Sequence, residues 1–89
     1  MTIREDELVI LKALADETRL KIVKFLKDGE RCVCEIFPFV KRTQSTISIQ
    51  LDILKKAGIV ESRREGKKVY YQIKSKRVNK ILKTLENRD

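Results

Sequence analysis

Two cysteines separated by a single valine, Cys32 and Cys34 in the segment "ERCVCEI", are the only thiols in a chain of 89 residues that contains no histidine. Thiolates are soft ligands that select thiophilic ions, and they also oxidise reversibly to a disulfide or a sulfenic acid. A two-residue period places both side chains on one side of an extended segment but about 200° apart on a helix, so chelation and an ideal helix conflict. Pro38 lacks the amide that would bond to the Cys34 carbonyl, so a helix here is weakest beside the thiols. Zinc is disfavoured within one chain, because it wants a tetrahedral set of N, S or carboxylate ligands and Glu30 or Glu35 would have to complete it. Free cysteine also packs as a small hydrophobe, so a core role stays open beside the ligand and redox roles.

The length suits one compact domain, residues 1–89, with a small core that would gain burial from a second copy of the chain. No run of about 18 apolar residues occurs, and acids stand where a signal peptide needs a basic start. The expectation is a cytoplasmic protein with no membrane partner, its thiols reduced. Without histidine or a separated acid pair, no nucleophile and base arrangement emerges, so the chain does not read as an enzyme.

The formal charge of +8 is unevenly spread: residues 41–83 carry 13 Lys and Arg against 3 acids, whereas residues 1–40 carry 7 against 8. Such asymmetry is the footprint of a nucleic-acid binder, in which each cation set on a phosphate releases condensed counterions.

Periodicity organises the rest. "REDELVILKALA" puts Leu8, Leu11, Leu14 and Ala15 at helical spacing behind an acidic first turn. Asp16 can cap "ETRLKIVKFLKDG", a second helix that stops at Gly29. "CVCEIFPFV" reads as a short helix interrupted by Pro38, and Thr43 can cap "QSTISIQLDILKKA", which ends at Gly58. Then the period changes: in "IVESRREGKKVYYQI" two β-branched and aromatic runs flank "REGK", a hairpin with Val69, Tyr71 and Ile73 inward and Tyr70 and Gln72 outward. The last segment, "SKRVNKILKTLENRD", offers Val78, Ile81, Leu82 and Leu85 as an apolar stripe for a partner to cover.

These elements predict a mainly α fold with a β-hairpin, in the order α-α-α-α-β-β-α: a winged helix-turn-helix acting as a homodimer. Its fourth helix would enter the major groove of double-stranded DNA. Ile47, Leu51 and Leu54 form its buried line, which leaves Gln44, Ser45, Thr46, Ser48, Ile49 and Gln50 at the recognition end. Hydroxyls and amides read base edges, and an isoleucine can touch a thymine methyl. Lys41 and Arg42 before the helix, with Arg63, Arg64, Lys67 and Lys68 on the hairpin, are candidate phosphate contacts.

At this point four segments in order, "LKALADETRLKIVKFL", "ERCVCEI", "QSTISIQLDILKKAGIV" and "SRREGKKVYYQI", resemble the ArsR/SmtB family of metal-responsive transcriptional repressors over residues 8–74. The resemblance implies a dimer built on the first and last helices, hence on Leu8, Leu11, Val78, Ile81, Leu82 and Leu85. It implies repression relieved by an inducer, and "CVC" resembles the family's arsenic and antimony box. Cys32 and Cys34 are thereby candidate ligands for arsenic(III) or antimony(III), with no cofactor required. The chain departs from the pattern at Phe37, where that box has a third cysteine, and at Ile49 and Gln50, where relatives carry an Arg-His or similar pair. The expected mechanism is that the ion distorts the "CVC" segment and shifts the recognition helix. The alternative is a winged-helix protein with no metal effector, redox-responsive through its cysteines or constitutive.

Overall fold

The computed structural model describes residues 4–86. Its elements run α1 Glu5–Leu14, α2 Glu17–Leu26, β1 Arg31–Cys32, α3 Val33–Val40, α4 Gln44–Lys56, β2 Val60–Glu65, β3 Lys68–Ile73 and α5 Lys76–Glu86. The winged helix-turn-helix is present, with α3 and α4 as the helix pair and β2 and β3 as the wing. The expected order lacked one strand, because Arg31 and Cys32 pair antiparallel with Tyr71 and Tyr70 to make a sheet ordered β1-β3-β2. Two residues are too short to show a period, and the tyrosine strand across from them supplies the pairing.

Local chemistry explains the boundaries. The Asp16 carboxylate accepts the Arg19 N–H at 3.0 Å, and the Thr43 hydroxyl accepts the Thr46 N–H at 3.2 Å, so both predicted caps satisfy otherwise orphaned donors. Gly66, at φ 62°, takes the first of the two loop positions between β2 and β3, where a type II′ hairpin needs positive φ. Pro38 does not interrupt α3, which continues to Val40 because its Ile36 and Val40 face is buried against the core. The final residues 87–89 of the predicted last helix, like residues 1–3, lie outside the described residues.

The core gathers Ile22, Val23 and Leu26 of α2, Ile36 of α3, the Ile47, Leu51 and Leu54 line of α4, and Val78 and Leu82 of α5. Val78 and Leu82 are therefore not interface residues, as had been expected, but are buried in their own protomer. The α5 stripe is wide enough to split into two lines: Val78 and Leu82, four apart, turn inward, while Leu85 stays exposed and Ile81 half-buried.

Lys41 closes α3 in the left-handed region at φ 62°, the one non-glycine among the described residues to do so. An L side chain is strained there by about 1–2 kcal/mol. Lys41→Gly is expected to raise stability by about 1 kcal/mol in urea unfolding. An unchanged midpoint would show that the lysine is held without strain.

Candidate nucleic-acid interface and thiol site

The start of α4 is exposed. Gln44, Ser45 and Ser48 lie at the surface, and Ile49, at 60% exposure, is the most open apolar side chain of this helix. Two residues expected beside them are engaged within the protein. The Thr46 hydroxyl accepts from Thr43 at 3.0 Å, which ties it into the cap. The Gln50 oxygen accepts from Arg19 Nη1 at 2.8 Å, while Arg19 Nε donates to the Ala13 carbonyl at 2.7 Å. Arg19 thus links the end of α1 and the start of α2 to α4, and the Gln50 side-chain oxygen, expected at base edges, is engaged in that link. Its role was hidden because its partner is 31 residues away.

The wing is tied to the rest of the domain through β2. Lys55 donates to the Ser62 hydroxyl at 2.9 Å, joining the end of α4 to β2. Arg63 makes a two-pronged bond to Glu30 at 2.7 and 2.8 Å, reaches Glu65 at 3.2 Å, and lies 4.6 Å over the Tyr70 ring. Its guanidinium, expected at a phosphate, is engaged by Glu30 and Glu65 within the protein. Arg64, Lys67 and Lys68 are exposed and make no ion pair among the described residues, as do Lys41 and Arg42 before α4.

Hydrogen bonds from Arg63 hold the Glu30 carboxyl below its ordinary value, and the same bonds raise Arg63. With the folded value depressed, the bridge's contribution is full above pH 4.5, the ordinary value, and is lost as pH falls through the folded value. Glu30→Gln made together with Glu65→Gln removes both carboxylates that hold the guanidinium. The variant is expected to bind DNA more tightly and to steepen the log affinity against log salt slope by about 0.9, one added phosphate contact. An unchanged slope would place Arg63 out of reach of the backbone.

The two thiols sit where β1 meets α3. Cys32 is the last strand residue and caps the helix, its Cα 5.1 Å from that of Cys34, and the Cys34 N–H donates to its sulfur at 3.2 Å. The Cys32 N–H in turn donates to the Glu35 carboxylate at 3.0 Å, completing a reciprocal cap. Because Cys32 precedes the helix in extended conformation, the 200° separation expected on a helix does not apply, and the two sulfurs meet as a disulfide. Cys32 is buried and Cys34 exposed.

The residues fit a soft ion only in part. Two sulfurs converge, but Phe37 is packed against the core, and no group of three or more His, Cys, Asp or Glu among the described residues could hold a metal. Glu30 and Glu35, the carboxylates that zinc would need, are engaged with Arg63 and with the Cys32 amide. A tetrahedral zinc site within one protomer is thus not supplied by the carboxylates expected for it.

Cys32 and Cys34 share a cavity of about 300 Å³ with Gln44 and Ser48 of α4 and with Lys67 and Lys68 of the wing. The thiols, the start of α4 and the tip of the wing therefore line one concavity. Away from this cavity's lining, Leu11 at 55% and Leu85 at 53% exposure lie with Leu8 and the half-buried Ile81 on α1 and α5. These helices are joined there by an Arg77–Asp6 ion pair at 3.4 Å. Among the described residues, no helix is long and apolar enough to cross a membrane.

Comparison with known proteins agrees with this arrangement. The model of the bacterial regulatory protein arsR family matches residues 16–62. An uncharacterized HTH-type transcriptional regulator of Methanocaldococcus jannaschii is 49% identical over 78 residues, covering 86% of this chain and 88% of that protein. The arsenical resistance operon repressor of Escherichia coli is 42% identical over 65 residues, 72% of this chain but only 56% of the repressor. Among solved structures, the homodimeric winged helix-turn-helix DNA-binding domain of a possible ArsR-family regulator from Mycobacterium bovis superposes with a TM-score of 0.84. It is 35% identical, with 92% of this chain and 76% of that one covered.

Proposed function

The chain belongs to the arsR family of bacterial regulatory proteins, and from that footing we propose that it is a cytoplasmic, homodimeric repressor released from its operator when a thiophilic ion engages Cys32 and Cys34. It is a transcriptional regulator and not an enzyme, as are its relatives. We take residues 1–89 as one DNA-binding domain, paired through Leu8, Leu11, Ile81 and Leu85. Gln44, Ser45, Ser48 and Ile49 face base edges, while Lys41, Arg42, Arg64, Lys67 and Lys68 take phosphates.

The observation that carries the switch is the shared cavity, which sets the sulfurs beside Gln44, Ser48, Lys67 and Lys68. Effector and DNA need not communicate across the molecule. Arsenic(III) or antimony(III), the effectors suggested by the arsenical repressor's name, would bind both thiolates and alter the surface that DNA requires. A redox reading has its own support, since the two sulfurs are joined in the structure. Oxidation would then replace the ion as the signal.

A fluorescence anisotropy titration of upstream DNA separates these readings. With the chain reduced, arsenite should release the DNA; if arsenite is inert and diamide oxidation alone releases it, the pair is a redox sensor. Tight DNA binding that ignores both treatments would leave Cys32 a core residue and Cys34 a surface residue of a constitutive binder.

A further inference from the structure

The most exposed large apolar side chain among the described residues is Phe39, near the end of α3, at 61% exposure. Its ring is held in place. It stacks on Phe25 of α2, with centroids 4.0 Å apart and planes 11° from parallel. Phe25 is in turn packed against the core and has the Arg31 guanidinium 4.6 Å over its ring. The two rings form a platform anchored through Phe25, with Phe39 as its outer layer.

This platform lines a cavity of about 700 Å³ formed by α2 and the end of α3, within the range of about 300–1,000 Å³ usual for small-molecule sites. Five cations and one acid line it. Lys21 and Lys27 are paired with Glu17 and Glu86, but Lys24, Arg31 and Lys41 make no ion pair among the described residues. A flat ring open to solvent beside unmatched positive charge suits a ligand that is planar at one end and anionic at the other.

We propose that this cavity binds a nucleoside diphosphate, with its base stacked on Phe39 and its phosphates held by Lys24, Arg31 and Lys41. A phosphate monoester carries a charge of only about −1.5 to −2, so three unmatched cations call for a second phosphate. The platform also limits the ligand to one base. Surfaces that take single strands set successive aromatic rings along a groove, whereas the stacked pair supplies all the aromatic lining here. The cavity shares no lining residue with the Cys32–Cys34 cavity, so it is independent of the switch proposed there.

Heteronuclear NMR titration of the full chain tests the site, with ADP, adenosine, pyrophosphate and a single-stranded deoxyadenosine tetranucleotide as probes. ADP should shift the amides of Phe25 and Phe39 together with those of Lys24 and Lys41. It should bind about tenfold or more tightly than pyrophosphate, which has no base to stack. It should also bind about tenfold more tightly than adenosine, which has no phosphate for the cations. Phe39→Leu keeps an apolar side chain without a flat ring and should reduce ADP to the affinity of pyrophosphate, while Phe39→Tyr should retain ADP binding. Lys24→Gln/Lys41→Gln should reduce ADP toward the affinity of adenosine. Pyrophosphate that binds as well as ADP would make this a cationic patch and overturn the proposal. ADP binding undiminished in Phe39→Leu or in the lysine double variant overturns it, as do ADP shifts confined to α4 and the wing, or none at all. A tetranucleotide that shifts Phe39 at concentrations where ADP does not overturns it in favour of a strand.

Discussion

Leu11→Glu, made together with Leu85→Glu, is expected to yield a folded monomer that binds its operator about a hundredfold or more weakly than the parent chain. Both side chains are more than half exposed on the α1 and α5 face, so the charges enter no protomer core. In a two-fold dimer each charge would instead meet its symmetry mate's surface in a desolvated contact, which disfavours association. Operator affinity then falls because the second half-site is no longer bound intramolecularly, a gain worth about 10²–10⁴ when geometry allows it. Sedimentation velocity and anisotropy check the two halves of the expectation. A variant that remains dimeric would move the interface away from these helices.

The second large effect is on stability and comes from the recognition helix itself. Leu54 of α4 is fully buried against the core, and Leu54→Ala is expected to cost about 2–5 kcal/mol through lost burial and a residual cavity. For a domain of this size, whose total stability is about 5–15 kcal/mol, that is a large share of the total and, at the low end of the range, most of it. Ile49→Ala, five residues earlier on the opposite face, should stay within about 0.5 kcal/mol in urea unfolding while altering operator preference. Equal destabilisation by both would mean that α4 does not present the face described here.

Those two faces were readable from the chain alone because the 3.6-residue period acts over a whole helix, and Ile47, Leu51 and Leu54 obey it. The caps Asp16 and Thr43 and the hairpin glycine Gly66 were readable for a related reason: each does its work within three residues of itself. What escaped was set by partners distant in sequence. Strand β1 exists because Tyr70 and Tyr71 pair with Arg31 and Cys32. Gln50 was drawn inward by Arg19, and Arg63 was taken by Glu30, 33 residues away. The division of the α5 stripe into Val78 and Leu82 against Ile81 and Leu85 depends on where the helix docks, which amphipathic spacing cannot specify. The cysteines show both cases at once. Their chemistry was evident from spacing, but their convergence depends on a strand ending at Cys32 and a helix beginning at Val33.

In the proposed switch the Cys32–Cys34 site and the DNA surface are thermodynamically coupled, and linkage makes that coupling reciprocal. The most direct measurement is the arsenite affinity of the reduced chain, free and saturated with operator DNA, by competition with a dithiol. Coupling predicts that DNA weakens arsenite binding by the same factor by which arsenite weakens DNA binding, with both effects gone in Cys32→Ser/Cys34→Ser. Equal arsenite affinity in the free and DNA-bound protein would show that the two sites are uncoupled.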